Sequence, residues 1–446
     1  MKPLLRLKPQ LSVKMRKAVK TLLVALLVLL PLVPHASAVD SPSPRHGARM
    51  IYDPVNQRVL LFGGAKYENR YTFYNDIWAF DTASETWSQV EAPTGPQGRL
   101  NHNMVYDPDR RQIILFGGFS SSDRIGDTWT YSIAENAWTR ISASPSPPPR
   151  SDAGFVYDEA HGVAVLFGGY GLNDSHPDDT WVFDPEAGAW TQMSPQMSPP
   201  AMYGCMMVYD RANQASLLHG GHWSSSTQSG IHGYISSIWV YDLDEDSWTE
   251  IQTASKPPGR YWHMMAYDTS RGESLIHGGS AGGDNPMSDA WTYDYATNTW
   301  TQVTQDGGPG QRENTWIAYD EANDAYVLFG GLGQGLQVSG LKGDTWMLRL
   351  ENGRGSWSLV EAEPTEEPTV EPSGDIRGYP FAAMALSLVL AVWALRKRAG
   401  LAEPIQCGRS CVLATAKSNA SSWGRPGRVP LHPRAWPRAS SPPRCL

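Results

Sequence analysis

Arginine is the residue whose spacing in this sequence most suggests binding chemistry. It stands seven residues before the tyrosine of a Tyr-Asp pair in five of six places: Arg45, Arg99, Arg150, Arg260 and Arg312. The corresponding residue in the remaining place is Met202. A guanidinium offers parallel N–H donors that fit a carboxylate or another anion. The pattern predicts arginines around a pocket for an anionic ligand. The alternative is that each arginine pairs with an acid or a backbone carbonyl of the neighbouring repeat.

Two histidines and one tryptophan complete the candidate ligand-binding set. His102 and His263 each follow an arginine by three residues, and Trp223 lies in the longest connecting loop, residues 222–236. His219 and His277 stand where four other copies have Phe, and we interpret them as packed rings rather than ligands. Neither a Ser/His/Asp arrangement nor a zinc-type spacing occurs. The sequence therefore predicts no catalytic residue, no metal and no cofactor.

These residues recur because the middle of the chain is a repeat of about 52 residues in six copies. Each copy has a Tyr-Asp pair, then a Gly-Gly pair that begins ten residues after the Asp, then two tryptophans. The Asp residues are Asp53, Asp107, Asp158, Asp210, Asp268 and Asp320. The tryptophan pairs are Trp78/Trp87, Trp129/Trp138, Trp181/Trp190, Trp239/Trp248, Trp291/Trp300 and Trp346/Trp357.

Each copy also has four short apolar or alternating runs, separated by turns rich in Asp, Asn, Gly and Pro. In the second copy these are 101–106, 112–116, 128–131 and 137–141. Runs of this length predict strands rather than helices. Four strands per copy and six copies predict a propeller with one antiparallel sheet per blade. The tryptophans then fill the wedges between blades, and each blade is continuous in sequence.

The Gly-Gly pairs and paired tryptophans, with Asn75-Asp76-Ile77-Trp78 and three Asp-Thr-Trp triplets, closely resemble kelch repeats. The resemblance covers residues 45–360. It implies an all-β, six-bladed kelch β-propeller with four antiparallel strands, A to D, in each blade.

Loop lengths indicate which face of such a propeller binds. The spacing from the Asp to the Gly-Gly pair, which spans the A–B turn, is ten residues in every copy. The spacing from the Gly-Gly pair to the first Trp, which spans the B–C loop, is 14, 11, 12, 18, 12 and 15 residues in the six copies. Variable loops on a rigid scaffold usually carry specificity. The B–C loops and D–A links share one face, called the loop face below, and the A–B and C–D turns share the other, the turn face.

The two ends of the chain predict export and anchoring. Residues 1–38 hold seven Lys or Arg, no acid, an apolar run from Leu22 to Val33, and Ala36-Ser37-Ala38, which together predict a cleaved signal peptide. An uncleaved membrane anchor is the alternative. Residues 361–378 form an acidic Pro/Thr-rich stalk, and 379–395 an uncharged run that predicts a transmembrane helix. Arg396-Lys397-Arg398 then places the tail, 396–446, in the cytoplasm.

The order stalk, Tyr379-Pro380-Phe381, apolar helix and basic cluster resembles the PGF-CTERM sorting signals of prokaryotic surface proteins. It implies a type I protein anchored at the cell surface. The tail is interpreted as disordered cytoplasmic sequence or a reading-frame artefact.

The segments of the chain differ in net charge. The chain has a net charge of −8, but residues 39–360 carry 19 basic and 38 acidic side chains, a net −19. So acidic a domain is not expected to bind nucleic acid. We expect a monomeric, non-enzymatic propeller that binds a protein or glycan, including an anionic one, at the loop face.

The alternative is a carbohydrate-active enzyme. Galactose-oxidase-like kelch proteins use a copper site with a linked Cys–Tyr pair, and here Cys205 lies near Tyr203. Sialic-acid mutarotases are six-bladed kelch proteins with acidic and Arg residues in the channel, as Arg260, Arg312 and Glu313 would be.

Overall fold

A computed structural model describes residues 41–360, apart from 93, 122, 225–231, 283–285 and 334–339. These residues belong to the first of the two units into which the chain divides, Met1–Pro368. The second unit, Thr369–Leu446, lies outside them, as do the predicted signal peptide, stalk, membrane helix and tail. No helix in the described ranges is long and apolar enough to cross a membrane.

Twenty-four strands form six four-stranded antiparallel meanders arranged A-B-C-D. The A strands are Arg49–Asp53, Asn103–Asp107, Gly154–Asp158, Met206–Asp210, Met264–Asp268 and Trp316–Asp320. The B strands are Arg58–Phe62, Gln112–Phe116, Val163–Phe167, Ala215–His219, Glu273–His277 and Ala325–Phe329. The C strands are Ile77–Asp81, Thr128–Ser132, Thr180–Asp184, Ile238–Asp242, Ala290–Asp294 and Thr345–Glu351. The D strands are Thr86–Val90, Ala137–Ile141, Ala189–Gln192, Ser247–Ile251, Thr299–Asp306 and Arg354–Val360. The predicted six-bladed propeller is confirmed.

Strand boundaries in the second copy differ from the prediction at one end. The A strand begins at Asn103 rather than at residue 101, because Asn101 has a left-handed backbone with a φ of 52°. A residue in that conformation cannot continue a strand. The other three strands agree to within one residue.

The outer tryptophan of each blade packs on the preceding blade, against the residue that comes before Gly-Gly. The ring centroids lie 5.0 to 5.3 Å apart in all six pairs. The pairs are Trp138–Phe62, Trp190–Phe116, Trp248–Phe167, Trp300–His219, Trp357–His277 and Trp87–Phe329. His219 and His277 are therefore packed rings, as the sequence predicts.

The ring closes by packing of blade 6 against blade 1, and each of these blades is built from its own four strands. Trp87 of blade 1 packs on Phe329 of blade 6, and its indole N–H donates to the Thr345 hydroxyl at 2.8 Å. The D strands of blades 5 and 6 also pair in parallel at their ends, Thr304 to Asp306 with Arg354 to Ser356, which joins the two blades into one eight-stranded sheet.

The Tyr-Asp pair links blades on the turn face. Each Asp accepts backbone N–H bonds within its own A–B turn, as Asp107 does from Asp109 and Arg110. At two junctions the tyrosine of the next blade donates to that Asp, Tyr157 to Asp107 at 2.9 Å and Tyr267 to Asp210 at 2.8 Å. In blade 6, Tyr319 donates to Asp324 of its own turn instead, and Tyr326 donates to Asp268 of blade 5. At these junctions a buried carboxylate accepts hydrogen bonds from both its own turn and the neighbouring blade.

Candidate functional site

The loop face is built from small sheets that the B–C loops form. Blade 1 has a hairpin of Ala65–Tyr67 and Tyr71–Phe73, and blade 2 has one of Phe119–Ser120 and Asp123–Arg124. In blade 3, Arg150–Ser151 pairs with Tyr170–Gly171, and a short 3-10 helix, Leu172–Asp174, follows. In blade 4, Met202–Tyr203, His222–Ser224 and His232–Tyr234 form a three-stranded sheet. These pairings order the described parts of the loops at the loop face.

A closed ring of backbone hydrogen bonds surrounds the channel at this face. One residue from each D–A link donates its N–H to the carbonyl of the equivalent residue in the preceding blade, at 2.8 to 3.0 Å. All six have left-handed backbones, with φ from 51° to 68°. We call them the mouth ring: Gly47, Asn101, Asp152, Gly204, Trp262 and Asn314. Six positions with the same backbone conformation thus carry four kinds of residue: Gly, Asn, Asp and Trp.

The mouth pocket lies directly above this ring and has a volume of about 340 Å³. Its floor comes from the D–A links: His46, Leu100, Asn101, Ser151, Asp152, Trp262 and Asn314. Its walls come from the B–C loops: Tyr67, Tyr71, Phe119, Arg124, Tyr170, Leu332 and Leu341. A polar floor under mainly aromatic walls is the usual composition of a ligand site.

Trp262 is the strained member of the mouth ring. Asn and Asp tolerate a left-handed backbone, but a tryptophan there is a rare conformation that costs about 1–3 kcal/mol. The indole stacks on Tyr261 at 4.4 Å and donates to Asp152 Oδ1 at 2.9 Å. It passes over Gly204, where a Cβ atom would lie 2.9 Å from Trp262 Cδ1. The absence of a side chain at Gly204 therefore leaves room for the Trp262 indole to reach Asp152.

The charges in the pocket are largely engaged. Asp152 Oδ2 accepts a hydrogen bond from Ser151 at 2.6 Å, and Trp262 occupies its Oδ1. Burial raises the pKa of Asp152, even though these hydrogen bonds and Arg49 act to lower it. Burial also lowers the pKa of His46 to about 4, so this imidazole is neutral near pH 7. The pocket therefore presents mainly aromatic rings and neutral hydrogen-bonding groups, with the Arg124 guanidinium in its wall.

Aromatic side chains form a continuous arc around the mouth from blade 1 to blade 5. Neighbouring rings lie 4.4 to 6.3 Å apart. The aromatic arc consists of Tyr67, Tyr71, Phe119, Tyr170, Tyr203, Tyr261 and Trp262. Arg124 bridges its only gap, with its guanidinium 5.6 Å from the Phe119 centroid and 3.9 Å from that of Tyr170. Tyr67 and Tyr71 are 47% and 44% exposed, so the arc presents ring surface to solvent.

The five repeated arginines do not line this pocket. Each is at most 1% exposed, and donates to both carboxylate oxygens of an Asp in its own blade and to the first Gly carbonyl of Gly-Gly. The pairs are Arg45–Asp76, Arg99–Asp127, Arg150–Asp179, Arg260–Asp289 and Arg312–Asp344. An anionic ligand could reach none of these groups without breaking a buried ion pair. The pairing alternative describes these contacts, with the acid in the same blade rather than the neighbouring one.

The Asp of each bridge has a second donor, the indole of the inner tryptophan two residues later. Trp291 Nε1, for example, lies 2.8 Å from Asp289 Oδ2. Burial alone would raise the pKa of Asp289, but the bonds and charge of Arg260 and the bond from Trp291 lower it. The fourth copy lacks both charges together, with Met202 for the arginine and Ser237 for the Asp. Loss of both partners in one copy indicates that they act as a pair.

The remaining predicted ligand residues also lie away from the pocket. His102 and His263 are fully buried. The His102 ring packs edge-on against Phe62 at 5.3 Å, and His263 Nε2 lies 3.2 Å from His219 Nδ1. Burial holds the pKa of both His102 and His263 well below the usual range. Trp223 packs on the hydrophobic cluster between blades 3 and 4.

The residues on which the enzyme alternative depends do not lie together in one site. The Cys205 thiol is buried in the same hydrophobic cluster, whereas the Tyr203 ring stacks within the aromatic arc. Arg260 and Arg312 belong to the buried bridges. Among the described residues, no group of three or more His, Cys, Asp or Glu side chains could hold a metal ion.

The predicted ligand residues do not line the mouth pocket, whose floor residues lie one or two positions after the repeated arginine or its equivalents. The mouth-ring residues lie two positions after the repeated arginine, in the stretch before His102 and His263. A usable signal was present, because this position varies as Gly, Asn, Asp, Gly, Trp and Asn while the arginine hardly changes. Within a repeat, an invariant residue more often reports a shared structural contact, and a variable one reports a site.

Known proteins share this repeat. A family model described as the KLHDC2/KLHL20/DRC7 Kelch-repeats domain matches residues 33–221 and 211–374. Because the matches cover most of the chain, it belongs to this kelch-repeat family.

Relatives are similar over the propeller. An F-box/kelch-repeat protein of Arabidopsis thaliana is 26% identical over 361 residues, which cover 70% of this chain and 71% of that protein. Kelch domain-containing protein 2 of Bos taurus is 25% identical over 337 residues, covering 67% and 78%. The flagellar outer-arm dynein alpha chain of Chlamydomonas reinhardtii is 23% identical over 323 residues, but these cover only 7% of the dynein.

Proposed function

We propose that the propeller is a non-enzymatic protein-interaction module whose partner docks in the mouth pocket and on the aromatic arc. The observation that supports this most is the pocket itself, which combines a rigid backbone ring, a polar floor and exposed aromatic walls. Tyr, Trp and Arg are the residues that carry most of the binding energy in protein interfaces. Membership of the kelch-repeat family independently favours a protein-binding role.

The pocket is also preorganised. Each ring of the arc contacts another ring, and Trp262 is held by both Tyr261 and Asp152. Little side-chain entropy is therefore lost when a partner binds, which raises affinity for a given contact area. The hydroxyls of Tyr67, Tyr71, Tyr203 and Tyr261 have no hydrogen-bond partner within the described part of the chain, so they are available to a partner.

A glycan is the second candidate ligand, because flat aromatic faces above an amide-bearing floor also suit a sugar. Asn101 and Asn314 supply those amides, and Asn101 Oδ1 is buried without a hydrogen-bond partner. An acceptor left unpaired in a buried site costs free energy unless a ligand or water satisfies it.

The location we propose is the cell surface. The basic and apolar N-terminal segment and the uncharged run at 379–395 support export and anchoring through a single helix. Fractionation of cells with carbonate washing and N-terminal sequencing of the mature chain tests this. We expect a membrane-bound chain that begins just after Ala38.

The binding experiment is a selection from a random 12-mer peptide library on the full-length chain, with a glycan array in parallel. We expect peptides that bind the wild type but bind Tyr71→Ala at least tenfold more weakly. Val55→Ala is the matched control, because Val55 is similarly exposed, at 48%, but lies in a turn on the opposite face. Peptides that bind Tyr71→Ala and the wild type equally would contradict the proposal. Glycan binding alone would favour the second candidate.

A further inference from the structure

We propose that the half of the central channel next to the turn face is a second ligand site, which takes a small uncharged ring compound. This site goes beyond the proposed function and does not rest on it, since its cavity shares no lining residue with the mouth pocket. The size of the cavity, the chemistry of its lining and the charges at its open end carry the inference.

The channel cavity, as we call this space, has a volume of about 210 Å³ and is lined by the A strands of all six blades. Its innermost lining residue is Trp316, the first residue of the A strand of blade 6. The Trp316 indole packs against two hydrophobic clusters, one between blades 6 and 1 and the other between blades 4 and 5. The guanidinium of buried Arg49 lies 4.1 Å from the centroid of the same ring. Trp316 therefore forms the inner end of the channel cavity.

The walls of the channel cavity are mainly apolar and rich in sulfur and aromatic rings. Four blades each contribute a methionine from the second position of strand A: Met50, Met104, Met207 and Met265. A thioether adapts its shape to a neighbour and packs favourably against aromatic rings. The hydroxyls of Tyr157 and Tyr267 donate to turn carboxylates, so these residues offer the cavity ring surface. Such a lining favours a ring compound.

The volume and the backbone narrow the class of ligand further. An apolar cavity of about 150 Å³ holds benzene, so 210 Å³ suits a slightly larger ring compound such as indole. Each A strand pairs with a B strand along one edge only, and its other edge directs backbone N–H and carbonyl groups to the channel. These groups can bond one polar group of the ligand, whereas a charge would lose its hydration without a partner.

An ion-pair bridge crosses the open end of the channel cavity. Arg211 Nε lies 2.7 Å from Glu159 Oε1, and an Nη of Arg211 lies 3.2 Å from Glu321 Oε2. All three side chains line the cavity and belong to blades 4, 3 and 6. Blades 3 and 6 stand opposite each other in a ring of six, so the bridge spans the opening. We call these three residues the channel bridge.

The channel bridge is suited to act as a lid. Each of its members directly follows the Asp of a Tyr-Asp pair, and the same position is Pro, Pro and Thr in the other three copies. Charge at this position is therefore not a requirement of the shared fold. The Arg211 side chain is 40% exposed, and ion pairs this close to the surface contribute little to stability. The bridge can thus open for a ligand without loosening the blades.

The test is an indole titration of the full-length chain, solubilised in detergent and labelled with ¹³C in its methionine methyl groups. We expect saturable NMR shifts for the four methionines of the channel cavity, which single Met→Leu replacements assign. Met347, which is buried outside the cavity, and Met197, which is 61% exposed, are the controls and should not shift. No shift at the four methionines, or an equal shift at Met197, would overturn the site.

Charged analogues of the same ring test the class of ligand. Indole-3-acetate carries a negative charge and tryptamine a positive one at neutral pH. Both should bind at least tenfold more weakly than indole in the same titration, because the cavity offers no charged partner once the channel bridge is paired with itself. Equal affinity of either analogue would contradict an uncharged ligand.

Two variants test the lid. Arg211→Met removes both ion pairs of the channel bridge, and Glu321→Gln removes one of them. Both should raise the dissociation rate of indole at least fivefold, as measured from the NMR line shapes. Arg110→Met is the matched control, because Arg110 lies 3.2 Å from Glu186 on the same face but does not line the cavity. An unshifted Met347 signal shows that each variant is folded, and equal dissociation rates in all four proteins would overturn the lid.

Discussion

The Trp262 indole donates a hydrogen bond to the Asp152 carboxylate at 2.9 Å, and so joins blade 5 to blade 3 across the glycine of blade 4. No backbone hydrogen bond links these two residues directly, because the ring of N–H to carbonyl contacts passes through Gly204 between them. The side chains thus add a second, specific contact to a symmetric backbone, and this contact forms part of the floor of the pocket.

Replacement Trp262→Asn should keep the fold and remove binding. Asn occupies the equivalent ring position in blades 2 and 6, and it tolerates the left-handed backbone that strains a tryptophan. Relief of that strain offsets the lost hydrogen bond to Asp152, so we expect the free energy of unfolding to change by less than about 2 kcal/mol. Urea denaturation measures this change. Affinity for the selected peptides should fall at least tenfold by fluorescence anisotropy, and unchanged affinity would contradict the role of Trp262 in the pocket.

Replacement Gly204→Ala should destabilise the protein more than its backbone conformation requires. The added Cβ would lie 2.9 Å from Trp262 Cδ1 and forces the indole to move. Gly162→Ala is the matched control, because Gly162 has φ +70°, close to +68° for Gly204, but its Cβ would meet nothing nearer than 3.6 Å. We expect Gly204→Ala to cost about 1–3 kcal/mol more in thermal or urea unfolding. Equal costs would mean that the indole is not held where we describe it.

A double-mutant cycle should show that Arg260 and Asp289 act as a unit. Removal of one partner leaves a buried charge without its counter-charge and should cost about 3–5 kcal/mol. Arg260→Met combined with Asp289→Ser reproduces the natural pair of blade 4, Met202 and Ser237, and should cost less than the sum of the single changes by at least 1 kcal/mol. Urea unfolding of the four proteins measures the coupling. Additive costs would point to independent roles, including ligand binding by the arginine.

Acid should destabilise the propeller through its buried histidines. Burial lowers the pKa of His277 to about 3, from 6.5 in the unfolded chain. Below pH 6.5 the unfolded chain therefore binds a proton that the folded chain does not, and stability falls by about 1.4 kcal/mol per pH unit. His277→Phe restores the residue found in four other copies and should reduce the loss between pH 7 and pH 5 by about 2 kcal/mol. The same loss in both proteins would mean that His277 is protonated in the folded state.

The sequence could predict the fold almost completely, because every copy repeats the same structural contacts. The outer tryptophans and the Gly-Gly pairs each make one contact six times, and repetition turns a weak local pattern into a strong one. The strand boundary at residue 101 was missed, because whether an Asn adopts a left-handed backbone depends on the neighbouring blades that hold it.

The site was harder to predict for the opposite reason. Arg260 and its equivalents have the chemistry of an anion site, but the Asp that neutralises each lies about 30 residues further along the chain, before a strand that the fold brings alongside. The arc likewise joins rings from five blades, so no local spacing marks it. Only the three-dimensional structure, in which the blades close into a ring, shows that Tyr71, Tyr170 and Trp262 share one pocket.

Hydrogen exchange on the full-length chain, with and without a saturating selected peptide, tests most directly whether the mouth is the binding site. We predict that the peptide slows exchange in the loop-face segments 65–73, 119–125 and 170–176, which carry the walls of the pocket. The A–B turns of the opposite face should be unchanged. Protection confined to those turns, or to the outer D strands, would contradict binding at the mouth.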